Sequence, residues 1–215
     1  RDKVYAASGY LLELVNNILD MNKLESGEVR FLSVPFEMNT LFHEIDPVLQ
    51  SQASENGVQL KTQSIVEPLY LIGSPVHIKQ ILINIASNAL KYTPSGGTVS
   101  VQMQATKQDA DMMSITFCCA DTGIGMSEQF LSHAFEPFTQ ENRSARTSYS
   151  GTGLGLSIVK KLVDQMGGSI QLSSKLGKGT IVTIRIPFQI DHSNHADSET
   201  DSSISLRGRH ILLVE

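Results

Sequence analysis

Five polar residues recur at spacings of three, four, four and three along one apolar stretch: His77, Gln80, Asn84, Asn88 and Lys91. On a helix these positions fall on one narrow stripe. Around it stand Ile78, Ile81, Leu82, Ile83, Ile85, Ala86 and Leu90. A polar seam on a helix buried on most sides needs partners, because a buried amide without one costs on the order of 1–3 kcal/mol. An asparagine carbonyl is a hard oxygen donor suited to Mg²⁺, and a lysine suits phosphate. A surface helix with its polar face in water would show the same spacing.

A second group, Asp121-Thr122-Gly123-Ile124-Gly125-Met126, directly follows a strand-like apolar run. Glycines two apart let a ligand approach bare backbone. A carboxylate only accepts hydrogen bonds. Asp121 can therefore take one from the exocyclic amine of adenine, where guanine offers a carbonyl oxygen. Asp-x-Gly is also ordinary turn chemistry. A third group, Gly151-Thr152-Gly153-Leu154-Gly155-Leu156, leads into a helix. Glycines ahead of a helix N-terminus expose N–H groups and the positive end of the helix dipole to a phosphate; tight packing would use the same residues. No Gly-Lys-Ser/Thr follows, so this is not a Walker loop. It follows a long loop and not a strand, unlike a Rossmann loop. Between these groups lie Phe135-Glu136-Pro137-Phe138 and a polar run from Thr139 to Ser150. Such a loop suits a lid over a phosphate site, although both phenylalanines could equally be core anchors.

These residues need a scaffold, and the 215-residue chain is long enough for one domain with attached pieces. Hydrophobic residues make up 40%, enough for a core, and the net charge of -5 shows no basic excess that would suggest a nucleic-acid partner. No apolar run reaches the length of a membrane span. Cys118 and Cys119 are adjacent in a strand-like run, so they point to opposite faces, and at least one reads as a small core residue rather than half of a redox pair.

The spacing of Leu11, Leu14, Ile18 and Met21, widened by Leu12, Val15 and Leu19, predicts a helix over 4–25 that needs bundle partners. A strand is expected at 29–34, then a helix at 39–55 that Pro47 kinks or begins, stopped by Asn56-Gly57. Strands are expected at 58–63, 69–72, 98–105, 112–120, 169–174 and 179–188, with helices at 75–91, 127–134 and 154–166. Helices alternating with hairpin strands predict an α/β two-layer sandwich with a mixed sheet. The polar stretch from residue 191 predicts a linker to about 208, and residues 209–215 resemble the first strand of a further domain.

Together the groups resemble one family, the sensor histidine kinases. Asn84-Ile-Ala-Ser-Asn88-Ala-Leu-Lys91-Tyr92 resembles its asparagine box, Asp121-Thr-Gly-Ile-Gly125 its first glycine box, and Phe135-Glu-Pro-Phe138 its phenylalanine box. Gly151-Thr-Gly-Leu-Gly155 resembles the second glycine box, and Gly177-Lys-Gly-Thr180 the late glycine turn. The resemblance implies a Bergerat-type ATP-binding sandwich over 28–190, preceded in 1–27 by the second helix of a dimerisation hairpin. It implies Mg·ATP as the ligand, with Asn88 on Mg²⁺, Asn84 supporting it and Lys91 on phosphate. It further implies nucleotide contacts for Tyr92, Asp121, Gly123, Gly125, Phe135, Gly151, Thr152, Gly153, Leu154, Gly155 and Thr180. ATP-hydrolysing members of the superfamily carry a glutamate base four residues before the Mg²⁺ asparagine. Asn84 stands there and cannot take a proton from water, which favours phosphoryl transfer to a protein. Ser74 and His77 replace an aspartate and an arginine common in the family.

The acceptor histidine is expected upstream of this sequence. His43-Glu44-Ile45-Asp46-Pro47 imitates the acceptor motif, but lacks its basic residue and lies inside the catalytic region. Expected partners are the phosphoacceptor hairpin of the same protein and a receiver domain or response regulator. The intact protein is expected to be a homodimer with a cytoplasmic catalytic region, with or without a membrane anchor.

Overall fold

A computed structural model describes residues 2–29, 31–64, 69–141 and 152–193. Gly151, the rest of the polar run after Glu141, the linker from residue 194 and the strand expected at 209–215 lie outside the described residues. The elements are α1 (Asp2–Glu25), β1 (Val34–Glu37), α2 (Met38–Asn56), β2 (Gln59–Gln63), β3 (Tyr70–Gly73) and α3 (Pro75–Tyr92). They continue with β4 (Thr98–Lys107), β5 (Met112–Asp121), α4 (Glu128–Leu131), α5 (Gly155–Gln165), β6 (Ser169–Lys175) and β7 (Gly179–Ile190).

Among the described residues seven strands form one sheet in the order β1-β3-β7-β5-β4-β2, with β6 on β7 beside β3. It is mixed: β2 runs parallel to β4, and the other pairings are antiparallel. Alternation along the central strands sets the layers. Val101, Cys119 and Val182 stand in one cross-strand row, and Met103, Phe117 and Ile184 in the next. All six are buried, whereas Ser100, Gln102, Ile181 and Arg185 face outward. The buried face carries α2, α3 and α5, whose Leu49, Ile81, Ile85, Leu90, Ile158 and Leu162 complete the core. This is the expected two-layer α/β sandwich.

Three local expectations change. The strand expected at 29–34 forms instead at Val34–Glu37, because its partner β3 is four residues long and pairs Val34 with Gly73 through Glu37 with Tyr70. Phe31 turns its ring onto His77, with centroids 4.6 Å apart. α2 neither begins nor ends at Pro47 but continues through it. Its start is set by Glu37, whose Oε1 accepts from the N–H of Asn39 at 2.9 Å, and its end by Gly57 in the left-handed region. Asp191, expected to open a linker, is instead buried, and its N–H donates to the Tyr70 carbonyl at 3.0 Å.

The stripe expected on α1 divides along the helix. Ile18, Met21 and Leu24 pack on the core, while Leu11, Leu12, Val15 and Leu19 are exposed. Among the described residues no helix is long and apolar enough to cross a membrane.

Candidate nucleotide site

The seam on α3 serves two sites. At its N-terminal end His77 Nδ1 lies 2.7 Å from Ser74 Oγ, and Gln80 Nε2 donates to Asp20 Oδ2 of α1 at 2.8 Å. Burial lowers the pKa of His77, against the nearby Asp20 carboxylate, which raises it. At this end of the seam His77 and Gln80 thus face α1, where with Asp20 and Leu24 they line a second cavity of about 360 Å³. Farther along α3, Asn84, Asn88, Lys91 and Tyr92 line a separate cavity of about 430 Å³.

This cavity lies between α3, the end of β5 and the start of α5. Asp121, Gly125, Thr152, Gly153, Gly155 and Thr180 also line it. Asp121 ends β5, so its carboxylate projects where the chain leaves the sheet. Oδ1 accepts from the N–H of Gly123 at 2.8 Å and of Thr180 at 3.1 Å. Among the described residues no group hydrogen-bonds Oδ2, which leaves one oxygen for a ligand. Burial raises the Asp121 pKa above its usual value, and the two backbone N–H groups oppose that shift. Gly123 does not line the cavity but is buried beneath it: a Cβ there would collide with the Tyr92 carbonyl.

The opposite end is built on α5. Among the described residues no side chain caps this helix, so none of them takes the N–H groups of its first turn as a cap. Gly155 begins it, and a Cβ there would stand 3.6 Å from Asn88 Nδ2 and 3.9 Å from Asn84 Oδ1. Both asparagines are partly buried, and among the described residues neither amide has a hydrogen-bond partner. Two hard carbonyl oxygens beside a helix N-terminus fit a Mg²⁺ ion bound together with phosphates. Among the described residues no cluster of three histidine, cysteine or acidic side chains could hold a metal on its own. Lys91 Nζ lies 5.2 Å from the centroid of the Tyr92 ring, and burial raises the Tyr92 pKa.

Besides Gly123, two residues expected to touch the nucleotide lie outside the cavity lining. Leu154 is wholly buried and does not line the cavity; it is a core residue because α5 turns that side toward α3 and the sheet. Phe135 is half-buried and also lies outside the lining, where Phe130 and Ala134 stand instead. Phe138 is exposed and left-handed, with φ of 61°, and its N–H donates to the Gly153 carbonyl at 3.0 Å. His43 is exposed on α2, outside the cavity lining.

Other contributors escaped the sequence. Asn17 of α1 lines the cavity and donates through Nδ2 to Thr152 Oγ1 at 3.2 Å. Its one signal was a pair of amides in an apolar helix. Ser174 Oγ accepts from the Met126 N–H at 2.9 Å and lies 2.9 Å from Thr180 Oγ1, tying the loop after Asp121 to the β6–β7 hairpin. Cys119 lines the cavity floor, where burial chiefly, with the charge of Asp121, keeps it a thiol.

The profile of the family described as histidine kinase-, DNA gyrase B-, and HSP90-like ATPase matches residues 73–190. The chain is 35% identical over 210 residues to the sensor histidine kinase GacS of Pseudomonas protegens, covering 95% of this chain and 22% of that protein. It is 35% identical over 215 residues to the circadian input-output histidine kinase CikA of Synechococcus elongatus, covering 99% of this chain and 28% of that one. The chain thus spans between 22% and 28% of the length of these two relatives. Among solved structures, full-length ShkA in complex with AMPPNP matches with a TM-score of 0.73 at 27% identity, over 86% of this chain and 37% of that one. The Acinetobacter baumannii histidine kinase AdeS shares the fold, with a TM-score of 0.68 at 20% identity over 86% of this chain and 82% of that one.

Proposed function

This chain belongs to the family of histidine kinase-, DNA gyrase B- and HSP90-like ATPases, as a histidine kinase ATP-binding domain, and from that membership we propose that it hands the γ-phosphoryl group of ATP to a histidine outside this sequence. The supporting observation is one cavity that joins Oδ2 of Asp121 to the amides of Asn84 and Asn88, none of which has a hydrogen-bond partner among the described residues. Asp121 Oδ2 accepts from the adenine amine. Lys91, Thr152, Gly153 and the first turn of α5 hold the phosphates, and Gly151 belongs to the same run. Asn88, with Asn84 beside it, would hold Mg²⁺, which neutralises triphosphate charge when bound. The residues of the chain orient the nucleotide and exclude water, the two services phosphoryl transfer mainly needs. Asn84 cannot act as a base toward water. The acceptor imidazole bonds to the γ-phosphorus, the bond to the bridging oxygen breaks, and ADP leaves.

In this reading the acceptor lies on the helical hairpin to which α1 belongs, and the phosphoryl group passes on to a receiver domain or response regulator. The intact protein works as a homodimer whose catalytic region lies in the cytoplasm. Nucleic acid is not a partner.

Titration of the chain with a non-hydrolysable ATP analogue, with and without Mg²⁺, tests the proposal. Saturable binding that Mg²⁺ strengthens is expected, and Asn88→Ala should remove the strengthening. Absence of saturable binding would refute the assignment. Steady phosphate release without an acceptor would make the chain a self-contained ATPase. Radiolabelled ATP should leave no acid-labile phosphate on His43.

A further inference from the structure

The latch between α1 and the sandwich follows one helix face. Asn17 donates to Thr152, and Asp20 accepts from Gln80. The Leu24 carbonyl accepts from Gln165 Nε2 at 3.3 Å, and Glu25 pairs with Lys161 Nζ at 2.7 Å. These positions surround the buried Met21 and Leu24, so the C-terminal half of α1 is held on α3 and α5 by a small apolar centre with polar contacts around it. Of the four residues, Asn17 alone lines the nucleotide cavity.

Its partner there is the hydroxyl oxygen of Thr152, which also accepts from the Leu154 N–H at 3.3 Å. One oxygen atom therefore joins α1 to the turn that opens α5. Across the same cavity, Asp121 is held by Gly123 and Thr180, and among the described residues no hydrogen bond joins it to α1.

We propose that Asn17 is a positioning residue for the phosphate end of the nucleotide: by holding Thr152 it sets the glycine turn before α5, so that docking of α1 and occupancy of the site favour one another. The proposal rests on the nucleotide reading above. Linkage requires the coupling to be reciprocal: a ligand that binds the docked arrangement more tightly holds α1 down to the same degree that docked α1 tightens the ligand. The effect falls on the phosphates and not on the base, because Thr152 opens the helix beside Asn84 and Asn88. Loss of a single neutral hydrogen bond sets its size at about three- to tenfold in affinity.

The test compares the full chain with Asn17→Ala and Asn16→Ala, titrating each with adenosine and with the non-hydrolysable ATP analogue and Mg²⁺. Asn16 is the exposed neighbour on the same helix, and alanine is a good helix former at both positions. Asn17→Ala should weaken the analogue about three- to tenfold and leave adenosine unchanged, and Asn16→Ala should alter neither. In the unaltered chain the analogue, but not adenosine, should slow amide hydrogen exchange over the C-terminal half of α1. Equal analogue affinity in Asn17→Ala and the unaltered chain would overturn the proposal while leaving the nucleotide site standing. Equal weakening of adenosine and analogue would reduce Asn17 to a structural contact and also overturn it. No binding by the unaltered chain would overturn the site itself and this proposal with it.

Discussion

The N–H of Thr180, at the start of β7, donates to Oδ1 of Asp121, at the end of β5, over 3.1 Å, although 59 residues separate them. With the Gly123 N–H on the same oxygen, two backbone donors fix the orientation of the carboxylate, and the described residues place no donor on Oδ2. In the proposed reading, the oxygen that meets the adenine amine is thus aimed by backbone groups, which side-chain substitution cannot remove.

Asp121→Asn should therefore keep the fold and weaken ligand binding. The amide oxygen can replace Oδ1 toward Gly123 and Thr180, which turns the NH₂ group, a donor, toward the adenine amine, another donor. Loss of a charge-assisted hydrogen bond predicts an affinity lower by about 1.5–3 kcal/mol. Titration with the ATP analogue measures this, with thermal unfolding as the check that the fold survives.

Acid should weaken binding earlier than an ordinary aspartate would allow. Burial raises the Asp121 pKa above the usual 3.8. The contribution of this group to folding is fully present below the unfolded pKa and is lost as pH rises through the folded one. Ligand binding has the opposite sign, because it needs the ionised acceptor. Adenosine affinity should fall as pH drops through the raised pKa, and Asp121→Asn should flatten that profile. A midpoint at or below the usual aspartate value would contradict the burial argument.

Gly179→Ala should damage stability and site together. Gly179 adopts φ of 92°, and a Cβ there would collide with the Asp121 carbonyl. A left-handed backbone with a side chain, plus a clash against main chain, predicts a loss of about 2 kcal/mol or more. Urea unfolding measures it, and weaker analogue binding should accompany it as Thr180 shifts.

Leu154→Ala separates a core role from a ligand role. The side chain is fully buried, so the substitution should cost about 2–5 kcal/mol by urea unfolding. A small stability change with a large loss of nucleotide affinity would return Leu154 to the site.

Much of this protein was legible before any coordinates. The seam from Asn84 to Lys91, the aspartate at a strand end and the glycines before a helix are local patterns, and spacing alone places each on its element. The sandwich was legible too, because alternation in β4, β5 and β7 and the helical stripes each name one buried face. The start of β1 was not, since a strand exists only where a partner lies beside it, and β3 decided that.

Tertiary structure alone decided how far the candidate site reaches. From His77 to Lys91 the seam runs roughly 21 Å along α3 at 1.5 Å per residue, and different elements cover its two ends. Asp20 and Phe31 claim Gln80 and His77, while Asn84, Asn88 and Lys91 open onto the cavity. The same remoteness hid Asn17, which reaches Thr152 across 135 residues, and hid the full burial of Leu154 inside a glycine-rich run. Periodicity says which side of a helix is polar; what lies against each turn of that side depends on segments far away in the chain, brought there by burial of the faces they share.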